Sequence, residues 1–133
     1  MTWTYEQKTG KLFKEIPATP FLECVATGYA GGNQGRNPEG KNNPDMQGVK
    51  KIGPLPCGIY TFGTPLPHSN LGPFAIPLTP DPANDMLGRG GFYMHGDTTP
   101  GGDASEGCII MGRITRQACW DSIDHQLKVI KGN

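Results

Sequence analysis

Residues 94–113 read MHGDTTPGGDASEGCIIMGR and set a histidine, a serine and a cysteine between two apolar runs. A cysteine nucleophile needs a base to take its proton, donors for the oxyanion that grows on the attacked carbonyl, and open space for substrate. His95 is the candidate base, because imidazole titrates close to working pH and accepts a thiol proton readily. Gly107, immediately before Cys108, has no side chain and lets backbone N–H groups approach a carbonyl. Gly96, immediately after His95, is a second supporting position for oxyanion or loop, and Ser105 offers a hydroxyl to bond substrate or hold the loop. Two other readings of these residues stay open at this point. One is a metal site of His95, Asp97 and Cys108, against which stands the lack of spaced histidine pairs. The other is a structural turn whose thiol packs as a small apolar group.

Thirteen positions separate His95 from Cys108, enough for a loop that leaves one strand and returns beside it. The intervening GDTTPGGDAS holds no apolar residue larger than alanine, so it is predicted to be an exposed loop presenting residues from a rigid scaffold. The two side chains are then expected at the end of adjacent strands. GGFYMHG, 90–96, is the predicted strand that delivers His95, and CIIM, 108–111, is the apolar run that follows the loop. RITRQACWDSID, 113–124, is the one predicted helix, with Ile114, Ala118, Cys119 and Ile123 on one side at helical spacing.

Upstream, WTYEQ and KLFKEI flank KTG as an opening hairpin, and FLECVATGYA continues as a third strand. CGIYTFG, FAIPLTP and the closing QLKVIKG are further strands; Pro77 inside the second predicts a sheet edge or a break. Residues 31–56 form a long aperiodic stretch rich in Gly, Asn and Pro, read as an ordered loop covering one end of the sheet. The expectation is a mainly β protein, a single domain over residues 1–133, with one short helix after Cys108.

The totals narrow the function. A chain of 133 residues can bury a core in one domain. Twelve basic and twelve acidic side chains cancel, which argues against a nucleic-acid partner. No apolar stretch approaches a membrane span, so no membrane insertion is expected. The opening MTWTYEQKTGKLFKEI lacks the basic head and apolar segment of a signal peptide, so any export is expected by another route. Cys24, Cys57, Cys108 and Cys119 show no C-x-x-C pair and allow two disulfides, one or none. If Cys108 stays free, at most one bridge remains among Cys24, Cys57 and Cys119. His68 is expected in an exposed turn and His125 at the helix end, where a charged imidazole suits the dipole.

MHGD followed by SEGCII resembles the signature of L,D-transpeptidases of the YkuD type, H-G and then [S/T]-H-G-C. IGPLPCGIYTFG is similar to the Pro-rich lead-in and Gly-x-Tyr/Phe strand upstream in those enzymes. WTYEQKTGKL, ATGYAGG, KNNPDMQ and IGPLPCGIY, in this order, resemble the compact L,D-transpeptidase effectors that type VI secretion systems inject into rival Gram-negative cells. The resemblance spans nearly the whole chain and implies an L,D-transpeptidase-like β-sandwich or barrel. It matches Cys108 to the nucleophile, His95 to the base, Gly107 to the glycine before the nucleophile, and Ser105 to the serine or threonine three residues before it. Glu106 stands where the larger family has a second histidine, so only its backbone carbonyl is left to orient His95, with Asp97 as an alternative. Arg113 is the candidate for a substrate carboxylate, beside the plainer reading of a solvated helix-start arginine.

The resemblance implies acyl transfer on the tetrapeptide stem of peptidoglycan, through a Cys108 thioester and with no cofactor. Hydrolysis, D-amino-acid exchange and cross-linking are its possible outcomes. It also implies a secretion apparatus, action in the target's periplasm, and a cognate immunity protein that blocks the Cys108 cleft, with residues 31–56 as a candidate lid. Two rivals stand beside it: a cysteine peptidase or amidase cutting another bond of the stem, and a wall-binding module with a dead site.

Overall fold

The computed structural model describes residues 2–67, 69–97 and 103–133. Its strands, in chain order, are β1 (Trp3–Glu6), β2 (Lys11–Glu15), β3 (Leu22–Thr27), β4 (Tyr29–Ala30), β5 (Gly58–Phe62), β6 (Ile76–Pro80), β7 (Tyr93–His95), β8 (Ile109–Ile110) and β9 (Gln126–Ile130), with helix α1 (Arg113–Asp121) before β9. All nine join one sheet in the order β3-β2-β1-β9-β5-β6-β7-β8-β4. The two outermost strands, β3 and β4, are consecutive in the chain with only Gly28 between them. The sheet therefore curls until its edges nearly meet, giving the mainly β, barrel-like architecture expected from the sequence.

Alternation decides what faces inward. In β9 Leu127 and Val129 are buried while Gln126 and Lys128 are exposed. In β5 Tyr60 and Phe62 are buried and Thr61 between them is exposed. Trp3 and Tyr5 of β1, Leu12 of β2, Ile76 and Leu78 of β6, Met94 of β7 and Ile109 of β8 complete the interior with Leu55, Phe92 and Cys119. Tyr5 is fully enclosed, and its hydroxyl has no hydrogen-bond partner among the described residues.

Three expectations need correction. The run 21–30 is two strands, because the chain leaves one sheet edge at β3 and enters the other at β4. Of the edge or break expected at Pro77, the edge is wrong, since the strand lies between β5 and β7, and the break is what occurs. Pro77 is tolerated because β5 pairs only with Leu78–Pro80, and at Pro77 the ladder has already ended with Gly63 donating to the Pro77 carbonyl at 2.8 Å. The helix turns a different side to the interior than its apolar spacing suggests. Ile114 and Ile123 are exposed, Ile123 lies beyond α1, and Ala118 is exposed, while Arg116 and Cys119 are buried. Cys119 packs in the core, and Arg116, three residues before it, reaches loop carbonyls on the same side.

Residues 31–56 are ordered, with short 3-10 turns at Pro38–Gly40 and Pro44–Met46. Among the described residues no helix is long and apolar enough to cross a membrane.

Candidate functional site

Strands β7 and β8 run parallel, with Met94 opposite Ile109 and His95 opposite Ile110. Parallel neighbours need a long crossover, which residues 96–108 supply; 98–102 lie outside the described residues, as does His68. Because side chains alternate along a strand, His95 and Ile110 share one face. Met94 and Ile109 turn to the core. Cys108 immediately precedes β8, half-buried against the edge of that core, so the two candidate groups sit on neighbouring strands. The Tyr93 amide donates to Cys108 Sγ at 3.4 Å, and no hydrogen bond joins the His95 ring to the thiol.

His95 is 2 % exposed. Its Nδ1 lies 2.9 Å from the Gly96 carbonyl, which can only accept, so Nδ1 carries the proton and Nε2 is the basic nitrogen of the neutral ring. This replaces both orienting partners expected from the sequence. The Glu106 carbonyl instead accepts from Arg89 Nη2 at 3.2 Å, and Asp97 accepts from the Tyr29 hydroxyl at 2.8 Å. Burial is the largest influence on His95 and holds its pKa below the ordinary value; the Gly96 bond and Asp97 oppose this, and Arg116 adds to it. Burial also pushes the Cys108 thiol up, helped by Glu106 and opposed by the Tyr93 amide and Arg89. Both shifts favour the uncharged forms, a neutral thiol and a neutral imidazole.

Ser105 and Gly107 shape the approach to the nucleophile. Ser105 is buried, and its Oγ accepts from the amides of Gly31 at 2.8 Å and Gly107 at 3.0 Å while donating to the Cys108 carbonyl at 2.6 Å. Its hydroxyl is fully engaged in holding the turn. Gly107 has φ of +129°, and a Cβ there would stand 2.6 Å from Arg89 Nη2 and 2.8 Å from Phe92 Cε1. A side chain at this position is excluded by both conformation and space.

Arg89 has no signal in the sequence beyond a charged residue among glycines. It is buried, and its guanidinium donates to the carbonyls of Gln47, Pro54, Gly53 and Glu106 at 2.7–3.2 Å, with its charge over the Phe92 ring. It ties residues 47–54 to the segment leading to Cys108. Leu55 donates to the Gly107 carbonyl and Gln34 to the Ser105 carbonyl, each at 3.0 Å. Residues 31–56 are therefore tied by these bonds to the turn that leads into Cys108.

Arg113 is exposed at the start of α1, its guanidinium 4.4 Å from the Phe74 ring centre. Arg116, one turn on, is not among the candidates the sequence offers, because hydrophobic spacing places the buried side of the helix elsewhere. Its only signal is a second cation in the first turn of a helix, where the dipole disfavours positive charge. Gly96, Asp97 and both arginines line a concavity of about 320 Å³.

His125 stacks on Trp120 and its Nε2 donates to the Trp120 carbonyl at 2.8 Å, away from this site. All four cysteines are free thiols. Among the described residues no three His, Cys, Asp or Glu side chains are grouped to hold a metal ion, so His95, Asp97 and Cys108 do not form such a cluster.

The family model of the Tlde1 domain matches residues 26–131. No curated protein and no solved structure matches the chain.

Proposed function

The chain belongs to the Tlde1 domain family of antibacterial type VI secretion effectors that act on peptidoglycan, and from that premise we propose that it is a cysteine acyltransferase of the L,D-transpeptidase kind. The observation that supports the reading is the parallel pairing of β7 with β8, which brings the strand ending in His95 beside the one that Cys108 leads into, with the Tyr93 amide on the Cys108 sulfur.

The reaction follows from these two groups. His95 Nε2 takes the Cys108 proton, and the sulfur attacks the carbonyl between an L-configured centre and the terminal D-alanine of a tetrapeptide stem. As the tetrahedral intermediate collapses, the C–N bond breaks and the imidazolium proton passes to the leaving nitrogen. D-Alanine departs and a thioester remains on Cys108. Water, giving its proton to His95, then adds to the thioester; the C–S bond breaks and the sulfur regains a proton, completing a carboxypeptidase cycle. A free D-amino acid or the amine of a second stem in place of water gives exchange or a cross-link. Loss of D-alanine depletes donor stems and weakens the target wall. The working place on this reading is the periplasm of a Gram-negative target, and the producing cell carries an immunity protein that closes the Cys108 cleft.

Intact mass after incubation with tetrapeptide stems or a carbapenem tests the reaction. An adduct on Cys108, with muropeptides losing only their terminal D-alanine, is the expected result. Cleavage at another stem bond would assign a peptidase or amidase instead, and an unlabelled Cys108 would leave a binding module.

A further inference from the structure

Two concavities, of about 320 and 460 Å³, share Gly96 and Asp97, which directly follow His95, and Arg116 of α1. Arg116 reaches this ridge from α1. Its Nη1 donates to the carbonyls of Pro73 at 3.0 Å and Phe74 at 2.9 Å, and its Nε makes a long bond to Gly112 at 3.4 Å. Nη2 donates to no described residue and projects over Gly96, where a Cβ would stand only 2.9 Å away.

The charge of Arg116 is also uncompensated. The side chain is 6 % exposed, makes no ion pair with any described residue, and has a second cation, Arg113, as its neighbour. Burial first, then Arg113, lowers its pKa. A buried guanidinium beside a like charge is costly unless an anion completes it. Asp97 on the same rim is held by the Tyr29 hydroxyl at 2.8 Å.

The chemistry of the leaving group says which anion. His95 protonates the leaving nitrogen, and the carboxylate of the departing D-amino acid is only two bonds from that nitrogen. A group that reads this carboxylate must therefore stand beside His95. We propose that Arg116 Nη2, across the open backbone of Gly96, binds the terminal carboxylate of the leaving D-amino acid and so restricts the enzyme to stems that end there. The assignment rests on the acyl-transfer reading above. The amine end of the same amino acid faces His95 and Asp97, so the product leaves as a zwitterion with each end matched. In exchange, the incoming D-amino acid occupies the same place in reverse. Arg113, stacked on Phe74, makes no contact with that carboxylate.

The test compares stems ending in D-alanine with stems ending in D-alaninamide, read as the rate of Cys108 acylation by intact mass. Wild type is expected to acylate on the acid about 10- to 100-fold faster, the worth of one charge-assisted hydrogen bond. Arg116→Gln should bring this ratio close to one by slowing the acid alone, and Arg113→Gln should preserve it. Where Arg116→Gln does not fold, Arg116→Lys, which keeps a charge and donors for the Pro73 and Phe74 carbonyls, should reduce the ratio part of the way. Equal acylation by both stems in wild type, or an unchanged ratio in a folded Arg116 variant, overturns the assignment while leaving the reaction intact. Failure of both stems to label Cys108 overturns the reaction itself, and the assignment with it.

Discussion

The Tyr93 amide donates to the Cys108 sulfur at 3.4 Å from the same strand that ends in His95. One three-residue strand therefore provides both the candidate base and an N–H that favours thiolate. Burial outweighs that amide and keeps the thiol protonated at rest. On the proposed reaction, nucleophilicity is then produced by proton transfer from the thiol to His95 during the attack.

Cys108→Ala is expected to abolish acyl transfer and periplasmic toxicity, and His95→Ala to lower turnover by roughly 10²–10⁴-fold. Cys108→Ala removes the Tyr93 contact and one half-buried sulfur at the edge of the core, so its melting temperature should fall only slightly. Toxicity retained in a stable Cys108→Ala protein would remove the enzymatic account.

The pH dependence follows from two opposed shifts. His95 is held below its ordinary value near 6.5, chiefly by burial, so the acid limb of kcat/KM should lie below pH 6.5. An unfolded imidazole binds its proton first as pH falls, so stability present above 6.5 is lost as pH drops through the folded value. Cys108 is raised above 9.0, so its contribution is complete below pH 9.0 and is lost as pH rises through the folded value. Denaturant titrations should show both slopes flattened, the acid one in His95→Ala and the alkaline one in Cys108→Ala. Iodoacetamide should label Cys108 more slowly at pH 7 than it labels a free thiol.

Ser105→Ala strands the buried amides of Gly31 and Gly107 and releases the Cys108 carbonyl. A loss of about 2–4 kcal/mol is expected in chemical denaturation, together with reduced turnover as the turn before the nucleophile loosens. Unchanged stability would mean that water replaces the hydroxyl without cost.

Arg89→Met leaves four carbonyls without their donor and cuts the tie between residues 47–54 and Glu106. It should destabilise by about 3 kcal/mol. Hydrogen exchange should rise at Leu55, whose amide bonds to Gly107, before it rises in β1 or β9.

Tyr5→Phe should raise stability by about 1 kcal/mol, because it removes an enclosed hydroxyl that has no partner among the described residues. A lower melting temperature in that variant would reveal a partner for the hydroxyl.

The adjacency of β7 and β8 is legible in the sequence, because a polar link flanked by two apolar runs of strand character leaves few other arrangements. Most strands are legible for the same reason: Tyr60, Phe62, Leu127 and Val129 alternate with polar neighbours. What escapes sequence reading is satisfied by backbone. Arg89 and Arg116 are buried because carbonyls distant in the chain converge on them, and no spacing records that convergence. The same carbonyls rotate α1 so that Ile114 faces outward. His95, likewise, is oriented by the carbonyl of Gly96, an acceptor common to every residue type and so invisible in composition.

The matched family region starts at residue 26, near the end of β3, yet β1 fills the slot between β2 and β9. A fragment trimmed to the match would unzip β9 along a whole flank, wet Leu127 and Val129, and present a bare ladder to its neighbours. The opening hairpin is the stave without which this cask does not hold.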